Sequence, residues 1–133
     1  MLDYLKKNFP LSKEKLKCFS QQLLDIIIYL HSKNIVHRDI KPQNILVKID
    51  KCNPGHEQLK LIDYGFSTLS KFLFIAANKS RKLNAICGTP NFMAPELLSS
   101  KEYFGEKADV WSFGVVTFVM AEGRHPFKSS DYQ

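Results

Sequence analysis

The sequence predicts an α+β fold that is mainly helical and contains one short β-hairpin. Two segments carry this prediction. In the first, apolar residues recur at helical spacing through about residue 32, and the second, residues 109–121, is apolar nearly all round. Between them, two short runs of β-forming residues flank the turn signal Asn53-Pro54-Gly55. A length of 133 residues favours one domain.

The first segments are helical in pattern. Residues 1–8 are predicted to form a short helix that ends near Pro10. Ser12 is the predicted N-cap of the next helix, and Glu14 is favourable in its first turn. The residues of its apolar stripe are Leu16, Phe19, Leu23, Ile27 and Leu30.

The hairpin is predicted from residues 45–47 and 59–62, which join through a surface insertion at residues 48–58. Such a hairpin would carry Asn44 at one end and Asp63 at the other.

The stretch His37-Arg38-Asp39-Ile40-Lys41-Pro42-Gln43-Asn44 is the most informative in the chain. Pro42 has a fixed φ and biases Lys41 toward extended backbone, so a loop is predicted here rather than a helix. A loop held by flanking elements can bring several catalytic side chains to one point.

This stretch resembles the catalytic loop of eukaryotic protein kinases, and Lys41-Pro42 resembles the serine/threonine branch. Each motif alone is more often a turn or a surface cluster, but their order along the chain makes the resemblance specific. The further motifs are Asp63-Tyr64-Gly65, Gly88-Thr89-Pro90, Ala94-Pro95-Glu96 and Asp109-Val110-Trp111-Ser112-Phe113-Gly114.

The resemblance implies that the intact protein transfers the γ-phosphate of ATP to a serine or threonine hydroxyl of a protein substrate. It implies that Asp39 orients and deprotonates that hydroxyl, and that Lys41 neutralises charge on the phosphoryl group. It assigns Asn44 and Asp63 to Mg²⁺. Lys41, Asn44 and Asp63 would thereby also bind the nucleotide.

The resemblance also implies supporting contacts around these residues. Thr89 would hydrogen-bond to Asp39 and Lys41, and Leu46 would lie beneath the adenine. Asp109 would accept backbone N–H groups of the catalytic loop and so stabilise a strained turn. His37 and Tyr64 would stack into the family's apolar column that links the two lobes. Tyr64 replaces the more common phenylalanine of the family.

One departure concerns activation. Arg38 in this family often pairs with a phosphorylated residue three positions before the glycine of Gly88-Thr89-Pro90, and Ala85 occupies that position. We therefore expect this segment either to become ordered without phosphorylation or to use Ser80.

Compared with the family, residues 1–133 are expected to be a partial kinase domain, the large-lobe portion. The glycine-rich loop and strand lysine of the small lobe, and the later helices of the large lobe, cannot be located in the sequence. Part of the helix at residues 109–121 should then be exposed, because those later helices usually cover it. The alternative function is a truncated, non-catalytic interaction module.

The formal net charge of +6 and the isoelectric point near 9.2 raise a third possibility, a surface that binds nucleic acid. No arginine-rich run accompanies this charge, so we expect no specific nucleic-acid partner. Between Asp63 and Glu96 no residue is acidic, and this segment could attract acidic substrates or a phosphate group. Its basic residues are Lys71, Lys79, Arg81 and Lys82.

The apolar runs and the cysteines of the sequence predict an intracellular, cytoplasmic protein. Residues 115–121 are the longest apolar run and are too short to cross a bilayer. The cysteines (Cys18, Cys52 and Cys87) are scattered without metal-ligand spacing, as is typical of reduced thiols. The sequence does not specify a regulatory partner.

Overall fold

Two long helices and a β-hairpin form the centre of the structure, a computed structural model that describes residues 1–50, 55–69, 82–83, 86–99 and 102–127. The helices are α1 (Leu2–Asn8), α2 (Lys13–Ser32), α3 (Glu96–Ser99) and α4 (Gly105–Glu122). The strands are β1 (Ile35–Val36), β2 (Ile45–Lys48), β3 (Gln58–Leu61), β4 (Thr68–Leu69), β5 (Lys82–Leu83) and β6 (Tyr103–Phe104). The predicted α+β, mainly helical class is confirmed.

Helices α1 and α2 form where the sequence predicts them. The Ser12 hydroxyl caps α2 by accepting the Lys15 backbone N–H at 3.2 Å. The predicted stripe faces the core, although Leu16 at its start is only half-buried. The buried members are Phe19, Leu23, Ile27 and Leu30.

The hairpin pairs β2 with β3 in antiparallel register, with Ile45 opposite Leu61 and Lys48 opposite Gln58. The predicted strands differ from these bounds by one residue at one or both ends. Of the predicted turn, only Gly55 lies within the described residues, and its φ of +97° is one that glycine adopts readily.

Two short strand pairs were not predicted, namely β1 with β4 and β5 with β6. Each strand has two residues, so no alternation of apolar and polar positions marks it in the sequence. The catalytic stretch is a loop as predicted, except that it closes with a 3-10 turn at Pro42–Asn44.

Helix α4 begins at Gly105, earlier than predicted, and ends at Glu122. The next residue, Gly123, has left-handed backbone and donates its N–H to Val119 O at 2.9 Å. One side of α4 packs against α2 through Val116 and Met120. The other side is an open apolar groove that includes Val110, which is 54% exposed. The predicted partial exposure of this helix is confirmed.

Within the described ranges, none of the helices is both long enough and apolar enough to pass through a membrane.

The Ser12 cap can be tested by substitution. Ser12→Ala removes the side-chain acceptor of the Lys15 N–H, so the free energy of unfolding should fall by about 1 kcal/mol. Urea denaturation followed by circular dichroism measures this change. Ser12→Asp keeps an acceptor and serves as the control. Equal urea midpoints for Ser12→Ala and the unsubstituted chain would contradict the assignment of the cap.

Candidate active site

The carboxylate of Asp39 is the centre of the candidate site and is only 4% exposed. Its Oδ1 accepts the Thr89 hydroxyl at 2.9 Å, and its Oδ2 accepts Lys41 Nζ at 2.8 Å. Lys41 Nζ also donates to Thr89 Oγ1 at 2.8 Å. The predicted contacts of Thr89 with both residues are therefore confirmed.

These hydrogen bonds determine the charge of Asp39. Burial alone would raise the pKa of the Asp39 carboxyl, but hydrogen bonds from Lys41, Thr89 and Asn44 outweigh burial and lower it. Asp39 is therefore ionised at neutral pH. A carboxylate of low pKa is a weak base, which suits it to orienting a hydroxyl before a late proton transfer.

Asn44 is joined to Asp39 through its amide nitrogen. Nδ2 donates to the Asp39 main-chain oxygen and to Oδ2, both at 2.9 Å. Because both N–H groups are engaged with Asp39, the amide oxygen faces away from that carboxylate. The Asn44 side chain thus presents its oxygen, rather than its nitrogen, to the rest of the site.

Asp63 reaches the same end of the hairpin from the other strand. Since Ile45 lies opposite Leu61, Asn44 lies opposite Ile62, whose N–H donates to Asn44 O at 2.9 Å. Asp63 follows in left-handed backbone with a φ of +64° and an exposed side chain. The hairpin therefore brings the ends that carry Asn44 and Asp63 together.

An amide oxygen and a carboxylate are hard donors, so this pair fits a divalent cation such as Mg²⁺. In the part of the chain that the structure describes, no group of at least three His, Cys, Asp or Glu side chains could hold a metal ion. A cation at Asn44 and Asp63 would thus need water or phosphate oxygens as its other ligands, as is usual for Mg²⁺.

His37 is fully buried and contacts Asp39 and Ile62. Its Nε2 donates to Ile62 O at 3.1 Å, while its Nδ1 accepts the Asp39 N–H at 3.3 Å. This pair of bonds requires a neutral ring, and burial lowers the pKa of His37, although the Ile62 carbonyl and nearby carboxylates oppose that shift. The ring meets Tyr64 edge to face at 5.0 Å, so the predicted contact exists without parallel stacking.

Asp109 holds the backbone that precedes Asp39, as predicted. Its Oδ2 accepts the His37 N–H at 2.9 Å and its Oδ1 accepts the Arg38 N–H at 2.8 Å. Arg38 has a φ of +67°, a conformation that costs a non-glycine residue about 1–3 kcal/mol. Two hydrogen bonds to a charged group contribute about 1.5–3 kcal/mol each, which exceeds that strain.

His31 also belongs to this arrangement, and the sequence reasoning missed it. Its Nε2 lies 2.9 Å from Asp109 Oδ2, and because a carboxylate can only accept, the imidazole donates. His31 lies four residues after Ile27 of the apolar stripe. A polar residue at that spacing was the available signal.

The remaining predicted positions are Leu46, Arg38 and residues of the segment before Gly88. Leu46 lies on the outer side of β2 and is 47% exposed, so an apolar surface is available beside Asn44. Arg38 Nε donates to Phe66 O. The activation-segment positions Ser80 and Ala85, and the basic residues Lys71, Lys79 and Arg81, lie outside the described residues, and so does the side chain of Lys82.

An ionised carboxylate with a lysine, a threonine and a pair of hard oxygen donors is typical of a phosphoryl-transfer site. Comparison with known proteins agrees with this class. The protein kinase domain family matches residues 1–133, and the chain belongs to that family.

Three curated relatives give the extent of the match. CBL-interacting protein kinase 24 of Oryza sativa subsp. japonica is 39% identical over 98% of this chain and 26% of its own length. Serine/threonine-protein kinase ULK1 of Homo sapiens is 38% identical over 100% of this chain and 12% of its own. Serine/threonine-protein kinase ppk25 of Schizosaccharomyces pombe is 42% identical over 96% of this chain and 27% of its own length. The chain thus spans about a quarter or less of the length of each of these relatives.

The neutral His37 predicts a pH dependence of stability. Because the folded pKa lies below the ordinary value of 6.5, the unfolded chain binds more protons, and stability should fall as the pH drops below 6.5. His37→Phe should make the loss of unfolding free energy between pH 7.5 and pH 5.5 smaller. Urea denaturation at the two pH values measures it.

His56 is exposed, so His56→Gln is the matched control and should keep the pH dependence of the unsubstituted chain. An unchanged pH dependence in His37→Phe would show that His37 is not the group responsible.

Proposed function

We propose that this chain is the large-lobe portion of a serine/threonine protein kinase. The intact protein transfers the γ-phosphate of ATP to a serine or threonine hydroxyl of a protein substrate. The observation that carries the proposal is the Asp39 carboxylate, ionised and hydrogen-bonded to Lys41, Asn44 and Thr89. Membership of the protein kinase domain family supports it.

The two carboxylate oxygens of Asp39 differ in how many further hydrogen bonds they can accept. Oδ2 accepts both Lys41 Nζ and Asn44 Nδ2, whereas Oδ1 accepts only Thr89 among the described residues. A carboxylate oxygen can accept about two hydrogen bonds, so Oδ1 retains room for the hydroxyl of a substrate. We assign the orientation of that hydroxyl, and the late acceptance of its proton, to Oδ1 of Asp39.

Lys41 and Thr89 hold this carboxylate in place. The Lys41 ammonium donates to both Asp39 and Thr89, which fixes a positive charge beside the point where the phosphoryl group would transfer. Thr89 comes from a different segment of the chain. Its position therefore joins the substrate-facing loop to the catalytic loop.

Asn44 and Asp63 are the residues that we assign to a divalent cation, and we propose Mg²⁺. Their amide and carboxylate oxygens are the hard donors that this ion selects. When bound, the ion would neutralise charge on the ATP phosphates. Leu46, exposed on β2, is proposed to contact the adenine.

The proposed compartment is the cytoplasm, where ATP is available and thiols stay reduced. Cys18 and Cys87 are free within the described residues, in agreement with this location.

The role of Asp39 is tested by Asp39→Asn in the intact protein. Asparagine keeps the size of the side chain but removes the charge and the proton acceptor, so turnover should fall by about 100-fold or more. ATP affinity should stay nearly unchanged, because Asp39 is not among the proposed nucleotide contacts. Radiometric phosphotransfer assays and titration calorimetry measure the two quantities.

Asp25→Asn on the exposed side of α2 is the matched control and should keep full turnover. If Asp39→Asn abolished ATP binding instead, Asp39 would belong to the nucleotide site and the proposed role would be wrong.

The cation site is tested by Asp63→Ala. This change removes one of two proposed ligands, so ATP affinity in the presence of Mg²⁺ should fall by about tenfold or more, the factor typical even of residues that only support a ligand. Calorimetric titration of ATP at several Mg²⁺ concentrations measures it. Asp3→Ala, at an exposed position of α1, is the control. Equal affinities at every Mg²⁺ concentration would exclude Asp63 as a ligand.

A further inference from the structure

The register of the β2–β3 hairpin decides whether Asn44 and Asp63 meet, because Asn44 precedes β2 and Asp63 follows β3. Residues 49–57 connect the two strands, a connection longer than the roughly two to five residues of a usual hairpin loop. A short turn fixes the register of a hairpin, whereas a connection of this length leaves it open. The alignment of β3 therefore depends on contacts with another part of the molecule.

Apolar burial fixes the face of β3 but not its full register. Leu59 and Leu61 are buried, and since side chains alternate along a strand, they determine which face is turned to the core. A shift of β3 by two residues would keep that face inward. It would also move Asp63 by about 7 Å relative to Asn44, which is too far for the two side chains to share one Mg²⁺ with ligand distances of about 2.0–2.1 Å.

The side-chain amide of Gln22 on α2 is bonded to the backbone where β3 begins. Its Oε1 accepts the Leu59 N–H at 2.8 Å, and its Nε2 donates to Glu57 O at 3.0 Å. Nε2 also donates to Cys18 Sγ at 3.3 Å, and a rotated amide would oppose Oε1 to the Glu57 oxygen. The amide thus takes the place of a peptide group of a neighbouring strand at the residues on either side of Gln58.

The carboxylate of Glu57 ties the same segment to both helices. Its Oε1 accepts the Tyr4 hydroxyl at 3.1 Å, and its Oε2 accepts Lys15 Nζ in a partly buried ion pair. Lys15 Nζ also donates to Gly55 O at 2.9 Å. Lys15 and Gln22 are seven residues apart and so lie on one face of α2. That face therefore holds the start of β3 at two successive points.

The opposite end of β3 leads directly into the candidate cation site. There the Ile62 N–H donates to Asn44 O at 2.9 Å, and Ile62 O accepts His37 Nε2 at 3.1 Å. The strand between the two ends has only four residues and is paired with β2 along its whole length. An alignment that is fixed at Leu59 is therefore carried through paired backbone to Asp63.

We propose that Gln22 is a positioning residue for the cation site: its side-chain amide sets the register of β3 and so keeps Asp63 at the end of the hairpin that carries Asn44. This inference rests on the proposed assignment of Asn44 and Asp63 to Mg²⁺. Its structural part, the anchoring of β3 by α2, does not depend on that assignment.

The test is Gln22→Met in the intact protein, which keeps the length and helix preference of the side chain but removes its hydrogen bonds to β3. The Mg²⁺ concentration that gives half of the maximal gain in ATP affinity should rise about tenfold, the factor typical of residues that orient metal ligands. ATP affinity without Mg²⁺ should stay unchanged. Calorimetric titration of ATP at a series of Mg²⁺ concentrations measures both quantities.

Hydrogen exchange followed by NMR gives a second readout that needs neither ATP nor activity. In Gln22→Met, the amide of Leu59 loses its acceptor, and both this amide and that of Ile62 should exchange several-fold faster. Gln21→Met is the matched control. Gln21 is exposed and its amide bonds Asp25 on the surface of α2, so the exchange rates and the Mg²⁺ dependence should match those of the unsubstituted protein.

The remaining outcomes separate this inference from the function on which it rests. Faster exchange at Leu59 alone, with Ile62 unchanged, would show that the anchor does not reach the site and would overturn the proposal, as would an unchanged Mg²⁺ midpoint in folded Gln22→Met. If that variant fails to fold, Gln22→Glu decides, because it keeps the acceptor for Leu59 and removes the donor to Glu57. An unchanged midpoint together with unchanged Ile62 exchange in Gln22→Glu overturns the proposal. If the unsubstituted protein shows no Mg²⁺-dependent ATP binding, the proposed function fails, whereas exchange at Ile62 still tests the anchor.

Discussion

The buried carboxylate of Asp109 is the constraint on which the candidate site depends. Its two oxygens accept the N–H groups of His37 and Arg38 and hold the latter residue in left-handed backbone. That conformation turns the chain so that Asp39 follows toward the site. Because Asp109 lies on α4 and receives a further hydrogen bond from His31 on α2, the two long helices jointly determine the path of the catalytic loop.

From this turn, the rest of the site is assembled by short-range polar contacts that span distant parts of the sequence. His37 joins the loop to the carbonyl of Ile62, and Ile62 in turn donates to Asn44. Asn44 then donates to Asp39. Each contact satisfies a buried polar group, since an unpaired one would cost about 1–3 kcal/mol. The geometry of the proposed cation ligands is thereby coupled to that of the proposed base.

The predictable part of this molecule was the part encoded in local pattern. The apolar stripe from Phe19 to Leu30 marked α2, and Ser12 marked its beginning. The turn signal at residues 53–55 separated the hairpin strands. The roles of Asp39, Lys41, Asn44, Asp63 and Thr89 came from the resemblance of their motifs to the protein kinase family, and they remain proposals. The contacts of Thr89 and Asp109 were expected on the same basis, and the structure contains them.

The sequence by itself determined the family, the main helices, the hairpin and the identity of the candidate residues, because these depend on local spacing and on motif order. Tertiary structure alone decided the β1–β4 and β5–β6 pairs and the hydrogen bond from His31 to Asp109. These features join residues distant in the sequence through single hydrogen bonds or two-residue strands. Contacts of that kind leave no periodic pattern in the chain, so only the packing of α2, α4 and the loops between them reveals which partners meet.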